Sequence, residues 1–288
     1  MRERPTHASD EEVLSLVRRA WLPDADEVEH LPVGFGGWHW RVTVAGEPRL
    51  FATLDVLGVH HTADTLEATY AAAAALADDL DLVVPSLPGR DGRFTTPLGD
   101  GLLSATRWVD GHRPDGSATA ELLERLHAAP PPPALTPWRP LVASDLPEEL
   151  AARTLTPWTG GPHGEDARDL LVAHLDGVAT WVADYLRLAG ATDPSTWVTT
   201  HGEPHIRNQL QTGRGVVLVD WESARLAPAE RDLRWLDPPV GDPDLLRMFA
   251  LEWRLDELTQ YADRFEQPHP GNESDRVALG GLRESLTP

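Results

Sequence analysis

Between His201 and Glu222 the chain sets out a carboxylate, an amide five positions later, and a second carboxylate at the end of an apolar run: Glu203, Asn208 and Asp220. Two carboxylates and an amide oxygen suit a hard, oxygen-seeking cation such as Mg2+. Val216 to Val219 is aliphatic and mostly β-branched, which predicts a buried strand. Gln211 to Gly215 carries the glycines of a turn ahead of it. A hairpin there folds Asp220 back beside the Glu203–Asn208 loop. Zinc is the rival chemistry. His201, Glu203 and His205 are spaced His-x-Glu-x-His, however, not the His-Glu-x-x-His that puts two histidines on one helical face. Gly202 and Pro204 also oppose a regular helix, so zinc is disfavoured.

The elements that must position this stretch divide the chain into two halves. Glu11–Trp21 has helical apolar spacing behind a Ser9-Asp10 cap. Residues 28–110 alternate as strands, with a helix over 62–80 and a short strand at Leu82–Pro85, predicting a five-stranded sheet in a small α+β lobe over residues 1–110. The turn at Gly34, Gly36 and Gly37 is able to bring backbone N–H groups up to a phosphate, although glycine turns more often only reverse the chain. Residues 111–265 read as a helical lobe. Its predicted helices cover 120–129, 146–154, a single long one at 166–188 capped by Gly190, and 242–265. Residues 266–288 are polar and rich in Gly and Pro, and read as a loosely packed tail.

Composition narrows the partners. The 288 residues carry a formal charge of −21, and all 25 basic residues are arginine. Nucleic acid, which needs a basic footprint, is disfavoured. A cationic small molecule would be steered inward by this charge, although solubility and a G+C-rich genome are the better account of it. There is no cysteine, no apolar run near the ~20 residues that cross a bilayer, and a polar start from Met1 to Asp10. The expectation is a cytoplasmic protein that engages no membrane. No pattern specifies an oligomer.

His201-Gly202-Glu203-Pro204-His205-Ile206-Arg207-Asn208, followed by Val219-Asp220-Trp221-Glu222, resembles the aminoglycoside phosphotransferase and choline-kinase-like family. That family carries His-Gly-Asp-x-x-x-x-Asn and then an apolar strand ending Ile-Asp-Trp/Phe-Asp/Glu. The resemblance implies a two-lobed protein-kinase-like fold of the α+β class. It also implies transfer of the γ-phosphoryl group of ATP or GTP to a hydroxyl of a small molecule, with Mg2+. By position, Glu203 would orient the hydroxyl, and Asn208 and Asp220 would hold the metal. His201, His205 and Asp232 would belong to the structural motif. Gly34, Gly36 and Gly37 would cover the phosphates, and Arg107 and Trp108 would lie at the interlobe connection beside the adenine.

Two positions depart from the family pattern. Glu203 stands where the family has Asp, and Thr53 stands where a strand lysine normally grips the phosphates and pairs with a helix carboxylate, here Glu67. No realignment restores that lysine, because the chain has none. Arg41 and Arg49 are the nearby cations. These departures motivate a second reading, a catalytically weak or inactive kinase-like protein that binds a nucleotide, ligand or protein. A third keeps the fold and transfers a nucleotidyl group.

Overall fold

The structure, a computed structural model of the chain, describes residues 4–34, 37–57, 61–115 and 119–287. In chain order the first elements are α1 (Asp10–Ala20), β1 (Glu27–Leu31), β2 (Gly37–Val44), β3 (Glu47–Val56), α2 (Ala63–Ala77), β4 (Thr95–Leu98), β5 (Gly101–Arg107) and α3 (Thr119–Ala128). Next come α4 (Leu146–Arg153), α5 (Gly164–Val172), α6 (Leu175–Ala189), β6 (Val198–Thr200), β7 (Gln209–Thr212), β8 (Gly215–Leu218) and β9 (Arg225–Ala227). The chain closes with α7 (Glu230–Leu233), α8 (Pro243–Glu266) and α9 (Glu273–Leu286).

These elements form two compact units, and each is discontinuous in sequence. Residues 1–138 and 196–237 make one; residues 139–195 and 238–288 make the other. The division differs from the expected boundary near residue 110. The stretch 201–236, expected in the helical lobe, clusters with the sheet.

In the first unit the antiparallel order β1-β2-β3-β5-β4 gives the expected five strands. Strand alternation sends Trp40, Val42, Ala52, Leu54, Leu103 and Ala105 to one face, where they form a core with Val13, Leu16 and Val17 of α1. α1 starts at a capping box in which Ser9 and Glu12 satisfy each other's backbone N–H groups. The opposite sheet face carries His39, Phe51, Thr53, Asp55 and Ser104. α2 supplies Leu66 and Tyr70 to a small cluster with Leu102 on that face. A further core joins α2 and α3 to Leu82, Leu218 and Trp221. The strand expected at Leu82–Pro85 is instead a single parallel bridge to β8: Leu218 N–H donates to Leu82 O at 2.7 Å and Val84 N–H to Leu218 O at 3.1 Å. The segment is too short to extend that ladder.

The second unit is helical. The single helix expected over 166–188 is two, α5 and α6, interrupted at Ala173-His174. The side chain of His174 bonds the Leu170 carbonyl at 2.7 Å, a local competitor to the helical ladder. α8 starts as its sequence predicts, with the Asp242 carboxylate accepting from Asp244 N–H at 2.8 Å ahead of Pro243. The expected loose tail is wrong. Asn272 and Asp275 form a capping box that starts α9, and Ala278, Leu279, Leu282 and Leu286 are buried. Asp275 also receives Arg264 of α8 at 2.7 Å. Composition points to a loose tail because Pro268, Pro270, Gly271 and the pair Gly280-Gly281 weigh on it, whereas the apolar residues sit at helical spacing. No helix among the described residues is long and apolar enough to cross a membrane.

Leu282 is 1% exposed, so Leu282→Ala is expected to cost about 3 kcal/mol. Urea titration should show a lowered midpoint with an unchanged slope; a loosely packed tail would leave the midpoint where it was.

Candidate phosphotransfer site

The 201–232 stretch is held by short ladders and one buried carboxylate. β6 pairs with β9 and β7 with β8, all antiparallel. Just past β8, both backbone groups of Val219 are taken by the neighbouring loop. Its N–H donates to Asn208 O at 3.0 Å, and its carbonyl accepts from His201 Nε2 at 2.9 Å. This double tether is what sets Asp220 beside the Glu203–Asn208 loop. Because a carbonyl only accepts, the His201 proton is on Nε2. Nδ1 then accepts from Glu203 N–H at 3.3 Å. Burial lowers the His201 pKa, partly offset by Asp232.

Asp232 anchors the corner. Fully buried, it accepts from His201 N–H at 2.9 Å and Gly202 N–H at 2.6 Å. His127 of α3 donates to it from Nε2 at 3.0 Å. Burial alone would raise this carboxyl; the bond and charge of His127, with His201 and Arg231, outweigh it and hold the pKa below the usual value. Gly202 turns the corner at φ +96, and a Cβ there would lie 2.5 Å from the Arg231 guanidinium. The positive φ requires glycine, while a Cβ would also oblige the Arg231 side chain to move. Trp235 Nε1 closes the corner by donating to Gly202 O at 2.9 Å.

The chemistry-bearing groups follow. Asn208 Nδ2 donates to Glu203 O at 3.0 Å, so its oxygen is the end left for a cation. Glu203 Oε1 accepts from Ser223 Oγ at 3.3 Å, and its Oε2 lies 3.8 Å from His205 Nε2. Gln209 braces the loop from below, donating to Pro204 O at 2.7 Å and Thr119 Oγ1 at 2.6 Å. Asp220 has φ +69, a left-handed conformation that costs a non-glycine residue about 1–3 kcal/mol. It remains open to solvent, yet the protein around it strips enough hydration to push its carboxyl up to about 6, with the Glu203 charge adding to the effect.

Two further carboxylates share this neighbourhood. Burial and the Asp220 charge push Asp55 of β3 up to about 7, against the opposing bond from Tyr70 Oη at 3.4 Å. Burial and the charges of Asp55, Asp220 and Glu203 raise Glu222, and Arg225 counters them. Arg225 itself falls to about 10, chiefly by burial, and donates to Thr69 Oγ1 at 3.0 Å. No three His, Asp or Glu side chains among the described residues converge closely enough to cage an ion alone. That arrangement fits Mg2+, which keeps waters and takes one or two protein carboxylates alongside phosphate oxygens. A cation would also relieve the mutual repulsion of the acids.

The remaining sequence-predicted positions lie on the sheet. Thr53 faces His39, with Oγ1 and Nδ1 3.2 Å apart. Gly34 has φ +73 and is thus a true left-handed turn position. Gly37 starts β2, and Gly36 lies outside the described residues. Arg107 ends β5 and is exposed. Trp108 N–H donates to Arg49 O at 2.9 Å, and its indole to Asp110 at 3.0 Å. Glu67 is engaged without a lysine, accepting from Phe94 N–H at 2.9 Å and from both the backbone and hydroxyl of Thr95. Arg41 pairs with Glu29, and Arg49 is exposed. Sequence reasoning missed Asp55, whose one available signal is a lone acid in the apolar strand Leu50–Val56. His39 of β2 is half-buried on the same sheet face as Asp55.

Residues 28–267 match the phosphotransferase enzyme family, and the chain belongs to that family. Protein StrN of Streptomyces griseus is 31% identical over 222 residues, which are 67% of this chain and 68% of that protein. Among solved structures, a spectinomycin phosphotransferase in complex with ADP and spectinomycin superposes with a TM-score of 0.74 at 13% identity, covering 98% of this chain and 95% of that one. An amicoumacin kinase bound to AMP-PNP gives 0.60 at 10% identity, with 97% and 93% covered. At such identities the likeness is one of fold, and it is a kinase-like fold.

Asp55 supplies a pH test. Its folded pKa, about 7, lies above the usual 3.8, so the protonated form favours folding. That contribution is complete below about pH 4 and is lost as pH rises through 7. Asp55→Asn is expected to melt a few degrees above wild type at pH 8, each kcal/mol being worth roughly 2–4 °C. The difference should vanish near pH 4 in a calorimetric series without added divalent cations.

Proposed function

We propose that the protein transfers the γ-phosphoryl group of ATP or GTP to a hydroxyl of a small molecule. The observation that carries this is the tether through Val219, which sets Asp220 beside the Glu203–Asn208 loop in a chain of the phosphotransferase family. Asp220 and the Asn208 oxygen are the donors for Mg2+, which when bound supplies charge compensation to the phosphate oxygens. Glu203 accepts a hydrogen bond from the acceptor hydroxyl and holds it in line for attack, taking its proton as the new P–O bond forms and the bond from the γ-phosphorus to the bridging oxygen breaks, releasing the nucleoside diphosphate. The longer reach of Glu than Asp is offset by two restraints on its carboxylate, Ser223 on one oxygen and His205 near the other. Little covalent work falls to the protein in such a reaction, so positioning and electrostatics carry most of the catalysis.

An amine-bearing acceptor is favoured. The net charge of −21 draws in cations. One structural neighbour is an aminopropanol kinase, with a TM-score of 0.57 at 17% identity. Another holds spectinomycin beside ADP. The second reading, a binder without turnover, is motivated by the missing lysine and is separated by the same assay.

Purified protein with MgATP or MgGTP and a panel of amino alcohols and aminoglycosides should yield a product heavier by one phosphoryl group. Addition of a nucleotidyl group instead would point to the third chemistry. Glu203→Gln is expected to lower kcat by about 10²–10⁴-fold, with nucleotide affinity retained. Asp220→Ala should abolish both turnover and the thermal stabilisation conferred by MgATP. Stabilisation of the wild type by MgATP with no product from any acceptor would favour the binder.

A further inference from the structure

With lysine absent from all 288 residues, a bound nucleotide's phosphates need another side chain to meet them. The inner face of the sheet offers one. His39 and Thr53 are cross-strand partners in the β2–β3 ladder, so both side chains leave the sheet on the same face. His39 Nδ1 lies 3.2 Å from Thr53 Oγ1, and the imidazole stacks on Phe51 with ring centroids 5.0 Å apart. The ring is therefore held at its Nδ1 edge and along one flat side. Its other nitrogen lies against Gly34, where a Cβ would sit 2.7 Å from Nε2. Gly37 keeps the neighbouring space open, since a Cβ there would meet Thr53 Cγ2 at 3.2 Å and Asp55 Oδ1 at 2.9 Å.

Two of the nearby arginines are committed elsewhere: Arg41 pairs with Glu29, and Arg225 donates to Thr69 and to the carbonyls of Glu222 and Ala224. Arg49, four residues before Thr53, is exposed. Burial drives His39 down to about 4, so the imidazole is neutral at physiological pH and one nitrogen carries its hydrogen.

We propose that His39, oriented by Thr53, donates from Nε2 the side-chain hydrogen bond to the nucleotide phosphates that a strand lysine would otherwise give. The proposal rests on the nucleotide reading above. Thr53 Oγ1–H donates to Nδ1, which fixes the hydrogen on Nε2, the nitrogen nearest Gly34. The position of the absent lysine is thus used indirectly: Thr53 makes no phosphate contact and sets the tautomer of the residue that does. A neutral donor gives geometry without countercharge and avoids an internal ion pair with Asp55, leaving charge compensation to the cation.

The test measures displacement of a fluorescent ADP analogue from the full-length protein by ADP and by adenosine, in the presence of Mg2+. His39→Ala is expected to weaken ADP binding about tenfold, as for one lost bond to a charged group, with adenosine unchanged. His39→Gln, whose amide N–H reaches the place of Nε2, should retain most of the ADP affinity. His39→Asn reaches only the place of Nδ1 and should behave as His39→Ala. Thr53→Val should reproduce part of the loss. An alanine variant that holds ADP as tightly as wild type overturns the proposal. So does an equal loss of ADP and adenosine, which would make the ring a shelf for the base or a packing element. Failure of the wild type to bind any ADP would overturn the nucleotide reading itself, and this inference with it.

Discussion

The site depends on one buried carboxylate. Asp232 gathers two consecutive backbone N–H groups and an imidazole from a different helix. Each would be costly to leave unpaired in the interior, and a buried acid without them would be equally costly. Satisfied together, they fix the backbone at His201 and Gly202. From there His201 reaches across to Val219 and determines where the β8 strand delivers Asp220. A residue that meets no reacting atom therefore sets the separation between the two halves of the site. Its hold is rigid because the donors and acceptors in this chain of contacts meet one another.

The acids around that corner exert the opposite pressure. Asp55, Asp220 and Glu222 all have raised pKa values, with burial as the main cause and neighbouring carboxylates as the next. Asp220 also occupies an unfavourable left-handed conformation. Folding thus assembles a locally unfavourable arrangement and relies on the remaining cores to tolerate it, a common division between stability and function. A bound cation would convert the repulsion into binding free energy, which is how such a region responds to ligand rather than to its own packing.

Much of this was legible in the sequence for a specific reason. The Glu203–Asn208–Asp220 spacing is local, and a tight hairpin translates spacing directly into proximity. α1 was visible because its Ser9 cap and apolar periodicity agreed, and α2, α3, α4 and α8 showed in the spacing of their apolar residues. Failures came where tertiary context decided. Asp55 lies far along the chain from the acids it faces, and nothing in Leu50–Val56 announces those neighbours. His174 divides a helix whose apolar period runs through it unbroken. α9 was hidden by its glycines, although Leu279, Leu282 and Leu286 keep helical spacing. The 201–236 stretch clusters with the sheet although it follows the helices in sequence, because both units are discontinuous.

That discontinuity bears on how the protein is made. The His127–Asp232 contact spans 105 residues, and all of the second unit's first segment, 139–195, is synthesised between its two ends. The sheet is able to form while the ribosome is still translating α4, but the corner that arranges the site has no anchor until residue 232 has emerged. Such a long loop closure adds little to the equilibrium cost, since that cost grows only with the logarithm of length. It does delay the event, because distant partners meet late. A nascent or prematurely terminated chain that stops before Asp232 would consequently lack the anchor that orders this corner.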